Sequence, residues 1–160
     1  MASTGITATE IETIYRERFR AFVLSMTAFL RDGEAALEVV QEGFALALTR
    51  RGSFRNEGSV EGWVWQIVLN VARDRQRSIR SERSLRPVEM SLEVRVADDE
   101  LRASLLALPE RQRLAVFLRY YADLSYGQIA EALAVRPGTI AASLNAAHAA
   151  LRRDLEEVAT

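Results

Sequence analysis

Cysteine is missing from all 160 residues, which excludes disulfides, thiolate metal sites and cysteine nucleophiles and fits a reducing compartment. Histidine occurs once, at His148, and a single imidazole cannot assemble a metal centre. Lysine is absent as well, so every one of the 21 basic residues is arginine, a bias that a GC-rich genome produces as readily as function does. No glycine-rich phosphate loop is present, and no carboxylate pair has a structural reason to converge. Nothing therefore supplies a nucleophile, base and oxyanion site, and neither an enzyme nor a cofactor is expected. No run approaches the roughly 20 apolar residues of a membrane span. The segment MASTGITATE has neither the basic part nor the apolar core of a signal peptide. These absences predict a soluble, cytoplasmic protein without membrane insertion. A net charge of −1 gives no whole-molecule attraction to nucleic acid, so phosphate binding would have to come from a local cluster.

What is present is helical periodicity. With 49% hydrophobic and 27% charged residues the chain is globular, and no segment shows strand alternation. Thr7 or Thr9 can cap a first helix, with Glu10 or Glu12 in capping-box position and an apolar stripe of Ile11, Ile14, Tyr15, Phe19, Phe22, Val23, Met26 and Leu30. That helix is expected to stop at Arg31-Asp32-Gly33. A second runs from about Glu34 to Arg51, with Leu37, Val40, Phe44 and Leu48 inward and Glu38, Gln41, Glu42 and Ala45 toward solvent. Gly52 to Ser59 is a loop anchored by Phe54. The third, from about Val60 to Arg80, places Trp63, Val64, Ile67, Val68 and Val71 on one side and Gln66, Asn70, Arg73, Arg77 and Arg80 on the other, with Trp65 on neither. Ser81 to Ala97 loses helical period and reads as a flexible linker. Asp98 can then cap a fourth helix carrying Leu101, Leu105 and Leu106, and Pro109 opens a fifth, with Leu114, Phe117, Leu118 and Tyr121 inward. The expected fold class is all-α: two small helical domains, residues 7–82 and 98–157, joined by a linker at 83–97.

The second domain contains a helix-turn-helix. Ser125 and Gln128 form a capping box for a helix that stops near Ala134, and Pro137 opens another along which Ile140, Leu144, Ala147 and Leu151 recur on one face. Such a scaffold lays its second helix in the DNA major groove, yet the outward positions here are Ala141, Ala142, Ser143, Asn145, Ala146, His148 and Ala149. The basic residues gather elsewhere. Six arginines stand between Arg73 and Arg86 against Asp74 and Glu82. They suit a solvated helix end, where cations complement the helix dipole, and equally a nucleic-acid surface in which guanidinium groups hold phosphates and Gln66 and Asn70 reach base edges. Trp65, off the core stripe, is expected to stack on an unpaired base, whereas Trp63 is expected in the core.

The runs EGWVWQIVLNVARDRQR (Glu61 to Arg77), EAALEVVQEGFALAL (Glu34 to Leu48) and LPERQRLAVFLRYYADLSYGQIAEALAVRPGTI (Leu108 to Ile140) closely resemble the extracytoplasmic-function sigma factors of bacterial RNA polymerase. The resemblance implies a transcription initiation factor that binds core RNA polymerase and promoter DNA without covalent chemistry or cofactor. Glu38, Gln41 and Phe44 match the helix that docks on the polymerase clamp. The third helix, with Trp65, Gln66, Asn70, Arg73, Arg77 and Arg80, would recognise and melt the -10 element, and the loop Gly52 to Ser59 would capture a flipped base. The last helix would meet the -35 element through Arg136, Thr139, Ser143, Asn145 and His148. There the chain departs from the family pattern, with alanines where basic residues are usual, so weak -35 binding is expected. The alternative is a sigma-like interaction or regulatory protein that has lost promoter selection. The resemblance also implies an anti-sigma partner.

Overall fold

The structure is a computed structural model that describes residues 5–83 and 99–159, with the side chains of residues 80–83 excepted. Among the described residues the order is α1 (Ala8–Leu30), α2 (Gly33–Thr49), a short 3-10 turn (Arg51–Ser53), α3 (Val60–Arg83), α4 (Asp99–Ala107), α5 (Glu110–Tyr120), α6 (Tyr126–Leu133) and α7 (Pro137–Ala159), with no strand. The all-α reading in two helical domains holds. The linker and the Asp98 cap lie outside the described residues.

Local chemistry sets the helix ends. Thr7 caps α1 in a full capping box, its hydroxyl accepting from the Glu10 backbone N–H at 3.2 Å while the Glu10 carboxylate accepts from the Thr7 N–H at 2.7 Å. Arg31 ends the helix in the left-handed region, φ 58°. Asp32, which the periodicity does not single out, caps α2 by accepting from the N–H groups of Glu34 and Ala35. Ser125 and Gln128 form the expected capping box on α6, and Ala134 closes that helix at φ 55°.

Helices α1, α2 and α3 form the first unit, around Phe22, Met26, Val40, Phe44, Val64, Val68 and Leu69. Gly43 lets α2 approach α3 closely. A Cβ at that position would stand 2.6 Å from Val68 Cγ2 and 3.0 Å from Val68 Cα. In the second unit α7 packs on α5 and α6, burying Leu114, Leu118, Leu124, Ile129, Leu133, Ile140 and Leu144. Two expectations fail here. Leu37 is 39% exposed, lying beside Glu38 and Gln41 rather than in the core, because the inner arc of α2 is already filled by the closer-packing Ala36, Val39, Val40 and Gly43. Tyr121 is 36% exposed, its ring stacked on Phe117 with centroids 5.0 Å apart.

The two units pack on each other, α1 against α5 and α3 against α6. Their cores are continuous, and Ala28, Leu106 and Phe117 form a separate small apolar cluster between α1 and the second unit. Arg31 donates from Nη2 to the Leu106 carbonyl at 2.7 Å. Arg113 reaches the same carbonyl at 3.2 Å and that of Leu108 at 3.0 Å, so two guanidinium groups converge on the C-terminal end of α4. Burial, followed by the neighbouring Arg31, lowers the Arg113 pKa from its ordinary value, partly offset by Glu110.

Candidate nucleic-acid interface

Helix α3 carries the candidate interface, being buried along two stripes and polar along a third. Gln66, Asn70, Arg73 and Arg77 recur at intervals of four, three and four and so share one face. Asn70 is exposed and its Oδ1 accepts a long bond from Arg73 Nη1 at 3.5 Å. Arg77 pairs with Asp74 at 3.2 Å, both side chains 75% exposed, and Arg75 pairs with Glu38 of α2 at 2.9 Å. These exposed pairs are worth little in water, so both guanidinium groups can exchange a carboxylate for a phosphate at small cost. The side chain of Arg80 is outside the described residues.

Trp65 is a correction. Its indole is fully buried and stacks on Phe22, ring centroids 3.6 Å apart and planes 10° from parallel. It cannot meet a base without unfolding the first unit. The missed signal is a second apolar stripe, Trp65, Leu69 and Ala72, spaced four and three residues apart and wholly buried. It exists because α3 is covered on more than one side, by α1 and α2 together.

The tryptophan next to the polar face is Trp63, expected in the core but only partly buried. It stands three residues before Gln66 and seven before Asn70, which puts it at the edge of their face. Phe54, buried as the loop anchor should be, meets it edge to face at 5.6 Å. Between them opens a cavity of about 480 Å³, walled by the loop residues Ser53, Arg55, Glu57 and Gly58, by Trp63 and Gln66, and by Glu131 of α6. The loop can turn there because Gly58 takes φ 81° and Asn56 φ 56°. An aromatic wall, an amide and an arginine around one cavity can stack on a base, bond its edge and hold its phosphate.

The residues expected to dock on polymerase belong to α2. Glu38 and Gln41 are exposed. Phe44 is buried to 4% exposure, and with Tyr15, Phe19, Gln41 and Leu48 it lines an apolar groove of about 690 Å³ between α1 and α2. Tyr15 and Leu48, expected inward, form the walls of that groove.

The five candidates at the start of α7 and along it are not brought together. Arg136 is exposed at the helix start; Thr139 and Ser143, both half-buried, flank one side, and Asn145 and His148 turn toward the other. The exposed Ala142, Ala146 and Ala149 form the ridge between them. His148 Nε2 is held by the hydroxyl of Tyr120 on α5 at 2.8 Å.

Residues 13–82 match Sigma-70 region 2, and residues 98–151 match Sigma-70, region 4. The chain is similar to RNA polymerase sigma factor SigV of Bacillus subtilis, 26% identical over 118 residues that cover 71% of this chain and 71% of that protein. It is also similar to the ECF RNA polymerase sigma factor SigM of Mycobacterium tuberculosis, 31% identical over 129 residues covering 77% of this chain and 65% of that one. In fold it resembles the sigma factor RpoE solved in complex with the anti-sigma factor NepR from Bartonella quintana, with a TM-score of 0.71 at 18% identity over 92% of this chain and 98% of that one. Two regions in the family's order, on a fold of the same kind, place the chain in the sigma-70 family, among its extracytoplasmic-function members.

Proposed function

We propose that the protein is a transcription initiation factor, acting in the cytoplasm, that binds core RNA polymerase and directs promoter recognition and melting. The observation that carries this is the succession of sigma-70 regions 2 and 4 along the chain, with the polar face of α3 beside an aromatic cavity. Core polymerase docks on α2 through Glu38, Gln41 and the rim of the groove above Phe44. Promoter DNA of the -10 element runs along α3, its phosphates on Arg73, Arg77 and Arg80 and its base edges on Gln66 and Asn70. A base flipped from the non-template strand enters the cavity and stacks on Trp63, not on Trp65. Base capture offsets lost pairing, which costs least in A·T-rich DNA, so opening needs no covalent step and no nucleotide hydrolysis.

The second unit contacts the -35 element weakly. Arg136, Thr139, Ser143, Asn145 and His148 supply its contacts, and the alanine ridge of α7 forgoes the bidentate arginine-to-guanine pairs that are each worth about 1–3 kcal/mol of discrimination. Tethering to polymerase raises the local concentration of DNA at this helix and offsets part of the missing affinity. An anti-sigma factor, the kind of partner named in the RpoE structure, is the expected regulator.

The test is reconstitution with core polymerase on genomic DNA, followed by sequencing of transcript 5′ ends. A discrete set of start sites sharing an upstream element is expected. Core binding with no initiation at any site would overturn this reading.

A further inference from the structure

Helix α7 outlasts the unit it belongs to. Its buried residues are Ile140, Leu144 and Ala147, yet the helix continues to Ala159, about three turns further. Along that extension Leu151, Leu155 and Val158 recur at intervals of four and three, the spacing of an apolar seam between paired helices. Leu151 is partly buried against the core, whereas Leu155 is 37% and Val158 55% exposed. Beside the seam His148, Leu151, Arg152, Leu155, Glu156 and Ala159 wall a shallow hollow of about 480 Å³, formed by α7 alone among the described residues.

The charges flanking the seam decide what fits it. Arg152 and Glu156 stand four residues apart on the same edge of the hollow. A partner of one charge sign would attract one of them and repel the other. A second copy of α7 laid antiparallel sets its Glu156 opposite Arg152 and its Arg152 opposite Glu156, because a two-fold axis perpendicular to both helices keeps the same edge of each on the same side. Both ion pairs then form at once while Leu151, Leu155 and Val158 of the two chains interleave. A parallel pair would turn the two charged edges to opposite sides and lose both.

We propose that this extension is a self-association surface, through which two free chains pair antiparallel along the ends of their α7 helices. Three apolar side chains from each chain fall short of the roughly 800 Å² per partner of a standard interface, so the dimer is weak and concentration-dependent. His148, a candidate -35 contact, lines the hollow and is covered in the pair. Self-association and DNA contact at that end of α7 therefore exclude each other. The pairing itself does not depend on the chain being an initiation factor.

Sedimentation equilibrium of the full-length protein over a concentration series tests it. Wild type should show a reversible monomer–dimer equilibrium, weakened about tenfold or more by Leu155→Asp, which removes apolar contact from both chains at once. Arg152→Glu and Glu156→Arg should each weaken it about fivefold or more, because each sets like charges opposite one another twice in the dimer. An equimolar mixture of those two variants should return to within about twofold of wild type, as a heterodimer with both ion pairs reversed. That rescue also shows that both variants, changed at exposed positions, are folded. Leu155→Cys, in a chain with no other cysteine, should cross-link on oxidation, and Glu17→Cys on the exposed side of α1 should not. A wild type that stays monomeric throughout, a dimer indifferent to Leu155→Asp, or charge variants that fail to rescue each other overturns the pairing. If wild type is monomeric and Leu155→Asp instead lowers binding to core polymerase, the seam serves the polymerase, and the pairing is overturned while the initiation reading stands.

Discussion

The ring of Phe22 on α1 and the indole of Trp65 on α3 lie face to face, 3.6 Å apart at their centroids, with neither exposed. The indole Nε1–H has no acceptor among the described residues, so its contribution is packing alone. Trp65→Ala should therefore cost about 3–5 kcal/mol, as truncation of a large buried aromatic does. Trp65→Phe should cost far less, because the lost nitrogen was unpaired. Urea unfolding of both variants checks this, and a fully stable Trp65→Ala would contradict the packing. Trp63→Ala should cost less stability than Trp65→Ala, its ring being only partly buried, and should damage promoter opening.

The approach of α2 to α3 at Gly43 leaves no room for a methyl group, since Val68 backbone and side chain both stand within 3.0 Å of where it would go. Gly43→Ala raises helix propensity by about 1 kcal/mol but overpacks a rigid contact at about 1–3 kcal/mol. A net loss is expected, rescued in part by Val68→Ala in the same chain. A double-mutant cycle of thermal midpoints measures the coupling.

Arg113, only 5% exposed, holds its guanidinium between the carbonyls that end α4. Arg113→Met keeps the length and removes the donors, leaving the Leu108 carbonyl buried and unpaired while Arg31 still serves Leu106. A loss of about 1–3 kcal/mol is expected. It should be independent of pH between 5 and 9, because a guanidinium with a lowered pKa still keeps its proton throughout that range. Denaturation at the two ends of the range is the check.

Along α3, Asn70→Ala and Arg73→Ala should each lower open-complex formation about tenfold or more while core binding, measured by native gel, stays at the wild-type level. Both residues lie on the polar face that the hydrophobic core does not use, so unchanged unfolding midpoints should accompany the defect.

The alanine ridge of α7 predicts that DNA affinity can be added by substitution. Ala142→Arg and Ala146→Arg place guanidinium groups at exposed positions and should steepen the salt dependence of duplex binding by about one unit of log K against log salt for each additional phosphate neutralised. Titration of the holoenzyme on promoter fragments across a salt series reads this directly.

Most of the fold is legible in the sequence because the helix ends carry strong local chemistry. Thr7 with Glu10, Ser125 with Gln128, and Pro137 announce their helices without tertiary help. Asp32 escapes because the turn at Arg31 reads as a stop and its second role as a start is hidden behind it. The site is less legible for a geometric reason. A helical wheel separates a helix into one wet and one dry side, and α3 is dry on more than one, so Trp65 falls between the two and looks solvent-facing. Trp63 looks like core beside Val64 and Ile67, although its spacing to Gln66 and Asn70 also sets it at the wet edge. Glu131 gives no signal at all, since nothing local marks a residue whose partners are 65 or more positions away.

The bonds from Arg31 and Gln66 to the second unit both end on backbone carbonyls, those of Leu106 and Glu131. A carbonyl persists whatever side chain stands at its position. The second unit can accordingly drift in sequence, exchanging alanines for arginines or one promoter preference for another, without losing these two attachments. For these two bonds the side-chain requirement lies in the first unit, at Arg31 and Gln66, so substitutions along the reading helix leave both donors in place.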